Sequence, residues 1–302
     1  MSKARRLFQQ FCCVVLLALA VAPCASAAGR IECRAMASRI LARAVRYCVM
    51  LPPSYDAGKA RRYPVLYYLH GLGDNEQSLV NFGGWSLVEN LREQGRIGEF
   101  IIAAPDGGRS FYVNAKNGRE RYEDFFIREF VPLVDRSYRT RAVRGARGIT
   151  GVSMGGYGAL RYAFAYPQLF GSVSSHMGAL MERLPRIQMH GGGRAGGGTF
   201  GLLGTVFGTP PDAAYFDRLN PLTLARTSAR LSSVRIYFDC GSEDQYGFYD
   251  GARRLHEILK ARRIEHEFHI DSGGHDGVFV TSHFPVSLEL HSRSFGLTPA
   301  RR

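Results

Sequence analysis

The chain has 302 residues, of which 45% are apolar and 22% charged, and its formal net charge is +13. This size allows one large α/β core or two small domains, and one domain is favoured because no linker or internal repeat is visible. The arginines are scattered and are not interleaved with clustered aromatic residues, which argues against a nucleic-acid-binding protein. The basic charge leaves open a weak association with anionic surfaces.

The N-terminus has the pattern of a signal peptide. A positively charged start is followed by an apolar stretch over residues 11–21, which is too short to span a bilayer comfortably. The small residues at 25–27 then resemble a cleavage site. We therefore predict a signal peptide over 1–27, export to the periplasm or the medium, and a single domain over 28–302. An uncleaved membrane anchor is the alternative.

Three cysteines remain after such a cleavage: Cys33, Cys48 and Cys240. An exported protein meets an oxidising compartment, where disulfides persist. Cys33 and Cys48 lie on adjacent segments of strand-like composition, so a cross-strand disulfide and two buried thiols are both open. Cys240 ends a predicted strand and is expected to be an unpaired packing residue. The Cys and His spacings do not resemble a metal site.

Strands and helices alternate along the chain, which predicts an α/β fold with a mostly parallel sheet covered on both faces. Continuous apolar runs indicate strands that are buried on both faces. The predicted elements are an antiparallel strand pair over 31–51, a strand over 63–70, a helix over 85–94, a strand over 100–104, a helix over 122–138 kinked at Pro132, a strand over 149–152, a helix over 154–166, strands over 170–175 and 234–239, a helix over 249–262, a strand over 264–270 and a helix ending near 295.

The region from about 177 to 226 has no clear periodicity. Its most glycine-rich part is 191–198. An aperiodic insertion of this length is typical of a functional loop, and we predict a mobile cap or lid near the site. A surface excursion without a role is the alternative.

The most informative motif is Gly151-x-Ser153-x-Gly155, which lies between the predicted strand 149–152 and the helix 154–166. This pattern fits a nucleophile elbow, in which a serine lies on a sharp strand-to-helix turn. Glycines two residues before and after the serine are needed because side chains there would clash. The turn exposes the hydroxyl and directs the first N–H groups of the helix, including that of Met154, at an adjacent oxyanion.

A serine nucleophile needs a histidine base, and the base needs an acid to orient it. In α/β-hydrolases these follow in the order serine, acid, histidine, each in a loop after a strand. His275 alone among the nine histidines follows the last predicted strand, within a Gly-Gly turn. For the acid, Glu243 and Asp244 share the loop after the strand 234–239, and spacing leaves both open. His70 ends a strand and is interpreted as lining the site.

The chain resembles the esterase D-like "putative esterase" branch of the α/β-hydrolases. That branch includes S-formylglutathione hydrolases, feruloyl and acetyl esterases and the antigen 85 mycolyltransferases. The matching segments run in family order over roughly residues 40–290: Leu51-Pro52-Pro53-Ser54-Tyr55, Tyr68-Leu69-His70-Gly71-Leu72-Gly73, Pro105-Asp106-Gly107, Tyr122-Glu123-Asp124-Phe125, Gly151-Val152-Ser153-Met154-Gly155-Gly156, Cys240-Gly241-Ser242-Glu243-Asp244 and Gly273-Gly274-His275-Asp276.

The resemblance implies an α/β-hydrolase fold with an N-terminal antiparallel strand pair and a glycine-rich lid insertion. By position it implies Ser153 as nucleophile, Asp244 as acid and His275 as base. It further implies that the N–H groups of Leu72 and Met154 form the oxyanion hole. The choice of Asp244 over Glu243 and of Leu72 over its glycine neighbours depends mainly on the family. His70 and Tyr112 are the expected substrate contacts.

These patterns predict an exported serine carboxylic-ester hydrolase that needs no cofactor and no metal. Its expected substrate is a small-molecule or polysaccharide-linked ester, with no nucleic-acid partner. One alternative is an acyltransferase that passes the acyl group to a sugar hydroxyl. Another is a non-catalytic surface- or carbohydrate-binding protein on a hydrolase fold. Acyl length, alcohol specificity and oligomeric state do not follow from the sequence.

Overall fold

The computed structural model describes residues 29–184 and 199–297, and within them eight strands form one sheet. In chain order the strands are β1 (Arg30–Ser38), β2 (Arg43–Leu51), β3 (Val65–Leu69), β4 (Ile101–Pro105), β5 (Arg147–Val152), β6 (Ser172–His176), β7 (Arg235–Gly241) and β8 (Glu267–Asp271). Their spatial order is β1-β2-β4-β3-β5-β6-β7-β8. The pairs β1/β2 and β2/β4 are antiparallel and the other pairs are parallel. The predicted mostly parallel sheet and its N-terminal antiparallel pair are confirmed.

Helices alternate with the parallel strands, as the sequence predicts. They are α1 (Ser78–Asn81), α2 (Gly84–Glu93), α3 (Tyr122–Phe125), α4 (Val131–Ser137), α5 (Met154–Ala165), α6 (Thr199–Phe207), α7 (Ala213–Leu219), α8 (Pro221–Thr227), α9 (Phe248–Ala261) and α10 (Gly277–Ser294). In the part of the chain that the structure describes, none of these helices has the length and apolar character needed to cross a membrane.

The core lies on both faces of the sheet because successive side chains of a strand point in opposite directions. On β3, Tyr67 belongs to the larger apolar cluster and its ring contacts that of Phe126, with 5.5 Å between centroids. The next residue, Tyr68, belongs to the second cluster on the other face and contacts Phe284 of α10 at 6.3 Å. This double burial explains why β3 reads as a continuous apolar run.

The helix predicted over 122–138 is interrupted by a π-helical turn. α3 ends at Phe125, the π turn covers Phe126–Phe130, and Pro132 lies in the first turn of α4. Proline lacks an N–H and its ring crowds the carbonyl four residues earlier, so a regular α-helical ladder cannot continue across it. The π turn accommodates the proline by changing the hydrogen-bond pattern before it. The sequence predicts only a kink at this point.

The predicted lid region is partly helical. Its glycine-rich stretch, 191–198, lies outside the described residues. From residue 199 onward the chain forms α6, α7 and α8, and α8 packs against α5 and α9. The side chains of Asp212 and Asn220 cap α7 and α8 by accepting backbone N–H groups. These helices are shorter than the window over which helical periodicity can be recognised in a sequence. The sequence analysis therefore does not predict them.

The cysteine alternatives resolve in favour of the disulfide. Cys33 and Cys48 are paired residues in the register of β1 and β2, and they are bonded. The bond closes a loop with a sequence separation of 15, for which the chain-entropy model gives a stabilisation of about 3 kcal/mol. Cys240 is buried and unpaired, as expected.

The last helix carries a buried histidine whose titration should affect stability. His291 is fully buried, and its two ring nitrogens lie 2.8 Å from Ser172 Oγ and 3.0 Å from Ser174 Oγ on β6. Burial, with a smaller effect of His176, lowers the pKa of His291 to about 3. An unfolded histidine titrates near pH ~6.5. Between these values the unfolded chain binds a proton that the folded chain does not, so acid favours unfolding.

We therefore expect the free energy of unfolding to fall as the pH drops below about 6.5, with His291 contributing a loss of roughly 2 kcal/mol by about pH 5. Urea unfolding of the wild type and of His291→Gln at neutral and acidic pH measures this contribution. The variant should show a weaker pH dependence than the wild type. Equal dependence in the two proteins would assign the acid sensitivity to other groups.

Candidate active site

The serine motif forms a strained turn between β5 and α5. Ser153 has a φ of +55°, a positive backbone angle that residues other than glycine rarely adopt. A Cβ at Gly155 would lie 2.0 Å from the carbonyl oxygen of Leu69, and one at Gly151 would lie 2.3 Å from that of Gly155. Both glycines are therefore required by close backbone contacts. The Ser153 N–H donates to the carbonyl of His176 at 2.9 Å, which fixes the turn against β6.

The structure brings together the three side chains that the sequence selects. His275 Nε2 lies 2.9 Å from Ser153 Oγ, and His275 Nδ1 lies 2.7 Å from Asp244 Oδ2. The three residues follow β5, β7 and β8 and meet at the carboxyl edge of the parallel strands, where such sites are expected. The Asp244 side chain is fully buried, whereas that of His275 is 12% exposed. The imidazole thus connects a buried carboxylate to an accessible hydroxyl.

Asp244 is held as a carboxylate. Burial alone would raise its pKa, but the hydrogen bond and charge of His275 outweigh that effect, and the backbone N–H of Tyr246 and the Cys240 thiol add to it, so the pKa is lowered. Tyr246 N–H donates to Oδ1 at 2.8 Å and Cys240 Sγ lies 3.4 Å from Oδ2. An ionised carboxylate only accepts, so His275 Nδ1 carries the proton and Nε2 can accept the Ser153 hydroxyl.

Glu243, the other acid that the sequence leaves open, points elsewhere. It is exposed, and its carboxylate accepts hydrogen bonds from the hydroxyls of Ser242 and Ser272. Geometry thus separates two neighbours that spacing alone could not.

Two residues of the cavity wall have backbone N–H groups without an acceptor among the described residues. Leu72 and Met154 both line the cavity beside Ser153, and neither N–H takes part in a hydrogen bond there. That of Met154 belongs to the first residue of α5, where helical N–H groups have no partner within the helix. They are the two donors predicted for the oxyanion hole.

His70 and Tyr112 do not line the cavity, which corrects the expectation that they contact substrate. His70 is 1% exposed, and Tyr112 is fully buried. The N–H of Gly107 donates to His70 Nε2 at 2.7 Å, so Nδ1 carries the proton and donates to the carbonyl of Gly71, also at 2.7 Å. Tyr112 Oη donates to the backbone carbonyl of His70 at 3.0 Å. Because the Gly71 carbonyl and the Leu72 N–H belong to one peptide, the bond from His70 fixes the orientation of that N–H.

The cavity beside Ser153 has a volume of about 470 Å³. Its walls combine aromatic, aliphatic and polar residues, and in the described part of the chain they include neither lysine nor arginine although the protein is strongly basic. Tyr246 and Phe248 form one side, with ring centroids 4.8 and 5.5 Å from that of His275. Met177 and Ala179, at the start of the predicted lid region, line the cavity, whereas the described residues of α6, α7 and α8 do not. The lid itself stays a prediction. The other aromatic walls are Tyr68, Phe82 and Phe111.

A family model described as "Putative esterase" matches residues 38–286. The chain belongs to this esterase family. The resemblance drawn from the sequence motifs is thereby confirmed, and the match includes Ser153, Asp244 and His275.

Curated and solved relatives agree with the family. An esterase of Mycobacterium tuberculosis is 33% identical over 261 residues, covering 80% of this chain and 54% of that protein. An acetyl esterase of Caldicellulosiruptor saccharolyticus is 25% identical over 230 residues, covering 76% of this chain and 83% of that protein. This family member thus spans about half the length of the mycobacterial esterase. A solved ferulic acid esterase superposes with a TM-score of 0.76 at 24% identity, covering 89% of this chain and 99% of that one, and confirms the α/β-hydrolase fold.

This esterase-family chain also contains a second Ser–His–Asp group that sequence reasoning missed. His176 Nδ1 lies 2.8 Å from Asp239 Oδ2, and His176 Nε2 lies 2.9 Å from Ser287 Oγ. The side chains of His176 and Asp239 are completely buried, and Ser287 is too. The available signal was a histidine in β6 and an aspartate in β7, two neighbouring buried strands in which ionisable residues are seldom placed without a partner.

Proposed function

We propose that this chain is an exported serine carboxylic-ester hydrolase that works through an acyl-enzyme on Ser153. The observation that carries the proposal is the unbroken hydrogen-bonded path from Asp244 through His275 to Ser153, which opens on a cavity large enough for an ester. The buried second group has the same residue types but no access to solvent, so it cannot meet a substrate.

In the proposed reaction, His275 Nε2 accepts the proton of Ser153 as Oγ attacks the ester carbonyl. The resulting imidazolium is stabilised by the Asp244 carboxylate. The oxyanion accepts hydrogen bonds from the N–H groups of Leu72 and Met154, and losing one such donor costs about 3–4 kcal/mol of barrier in related sites. His275 then protonates the leaving alkoxide. Water repeats the sequence on the acyl-enzyme, releases the acid and restores Ser153.

The cavity walls favour a neutral ester with an apolar or aromatic acyl group. Aromatic and aliphatic side chains together form most of the lining, and its acidic residues, Asp74 and Asp276, are not balanced by a lysine or arginine among the described wall residues. Relatives named as a ferulic acid esterase and an acetyl esterase support an acyl group in this range. We propose a small-molecule or polysaccharide-linked ester of this kind as the substrate.

Export is proposed from the leader over residues 1–27, which lies outside the described residues. The disulfide between Cys33 and Cys48 supports it, because such bonds persist in oxidising compartments. We further propose one domain over 28–302. All eight strands, from Arg30 to Asp271, belong to one sheet, which favours a single domain.

Pre-steady-state hydrolysis tests the acyl-enzyme directly. Mixing purified protein with p-nitrophenyl acetate should release one equivalent of nitrophenol per protein in a burst, followed by slower turnover. A fluorophosphonate probe should label the protein and abolish the burst. A protein that shows neither the burst nor labelling by the probe would favour the non-catalytic alternative. Turnover that depends on an added sugar acceptor, with little hydrolysis in water, would favour the acyltransferase.

A further inference from the structure

The buried group formed by Ser287, His176 and Asp239 lies directly behind the candidate catalytic residues. It joins three elements: Ser287 is on α10, His176 ends β6 and Asp239 is on β7. Its two hydrogen bonds, of 2.9 and 2.8 Å, tie these elements to each other at the carboxyl edge of the sheet.

Each of the three elements supports one candidate catalytic residue. The carbonyl of His176 accepts the N–H of Ser153 at 2.9 Å. β7 leads directly into the loop that carries Asp244, and the carbonyl of its Asp239 accepts the N–H of Met177 at 2.9 Å. α10 begins at Gly277, just after His275. The buried group therefore connects the supports of nucleophile, acid and base.

Packing energy does not explain this group. Asp239 Oδ1 is buried with no hydrogen-bond partner in the described part of the chain. Buried polar groups with missing partners cost free energy, and apolar residues of similar volume are often as stable or more so. What a hydrogen-bonded group adds over apolar packing is direction, because it has one favourable geometry.

We propose that Ser287, His176 and Asp239 are positioning residues that keep Ser153, His275 and Asp244 in mutual register; the inference rests on the proposed hydrolase function. Small shifts in such a constellation have large effects on rate, since a displacement of about 1 Å can cost roughly 100-fold. The buried group touches neither substrate nor reacting atoms. Its effect is transmitted through the His176 carbonyl and the start of α10.

The chain offers a matched control in a neighbouring cluster. Ser172 is fully buried like Ser287, and each hydroxyl is hydrogen-bonded to one buried histidine. Its partner, His291, lies on the same helix as Ser287, one turn further on. Ser172, however, begins β6, at the end of the strand away from Ser153. The Ser287 hydroxyl also donates to the carbonyl of Phe284 in its own helix at 3.0 Å. Alanine at either position therefore removes a buried hydroxyl that is bonded to a histidine, which is the feature that the two variants share.

The test compares Ser287→Ala with Ser172→Ala. We expect similar losses in thermal stability, but a fall in kcat of about 10- to 100-fold only in Ser287→Ala, with KM changed by less than about twofold. Asp239→Asn should resemble Ser287→Ala. Equal kcat in the two serine variants, or a fall in kcat that simply follows the loss of stability in both, would overturn the proposal.

A readout without substrate separates this inference from the proposed function. The proton between His275 Nδ1 and Asp244 should give a downfield ¹H NMR resonance, which can be assigned by its absence in His275→Gln. We expect that resonance to shift or broaden in Ser287→Ala and to stay in place in Ser172→Ala. If the wild type hydrolyses no ester, the hydrolase proposal fails, while the resonance still decides whether the buried group positions His275. An unchanged resonance in Ser287→Ala would contradict the positioning role of the buried group.

Discussion

Replacement of Ser153 by alanine is expected to lower kcat for ester hydrolysis by about 10⁴-fold or more, because removing a serine nucleophile abolishes the covalent route. The fold should survive, since among the described residues the hydroxyl is hydrogen-bonded only to His275 Nε2 and the strained backbone stays in place. KM should change little, because the cavity walls remain. Steady-state assays with p-nitrophenyl acetate and labelling with a fluorophosphonate probe measure both expectations.

Ser282 supplies the control for that experiment. It is exposed on α10, and its hydroxyl donates to carbonyls of its own helix. Ser282→Ala should therefore keep wild-type kcat and full probe labelling. A Ser153→Ala protein that still turns over esters within about tenfold of the wild type would remove Ser153 from the mechanism.

Replacement of Asp244 by asparagine has the second-largest expected effect, a fall in kcat of about 10³- to 10⁴-fold. The amide keeps the shape but can present an N–H to His275 Nδ1, which would place the imidazole proton on Nε2, facing Ser153. That tautomer cannot accept the serine proton. The low pKa of Asp244 indicates that the charged form is the one the site stabilises.

The neighbouring Glu243→Gln is the matched control, because it makes the same change of charge one residue away. Its carboxylate is exposed and bonds to Ser242 and Ser272, so kcat should stay within about twofold. Both proteins should be assayed at one pH and checked by thermal unfolding. If Glu243→Gln were the more damaging change, the role of the acid would pass from Asp244 to Glu243.

Both expectations have the same physical basis. The three candidate catalytic side chains lie on separate loops, and hydrogen bonds of backbone N–H groups fix the position of each. Ser153 is fixed by its own turn and by the His176 carbonyl. Asp244 is fixed by Tyr246 N–H at 2.8 Å, and His275 N–H donates to the side chain of Gln245 at 3.1 Å. These contacts set the donors and acceptors before a substrate arrives, which is the condition for electrostatic stabilisation of a transition state.

The sequence alone determined the features that depend on local backbone. The turn at Ser153 could be predicted because glycines are required within two residues of it, and the contacts at Gly151 and Gly155 explain why. Buried parallel strands were predicted because both their faces are apolar. His275 could be selected because it follows the last strand of an alternating pattern, so its place at the sheet edge follows from topology.

Tertiary structure alone decided the features that depend on where a side chain points. Glu243 and Asp244 are adjacent, and only the path of the loop turns one toward His275. His70 follows a strand as a substrate contact would, yet it bonds to Gly71 and Gly107. The group of Ser287, His176 and Asp239 joins positions more than 60 residues apart. Local propensity carries no information about such distant pairings, because they form only when the sheet and its last helix have packed.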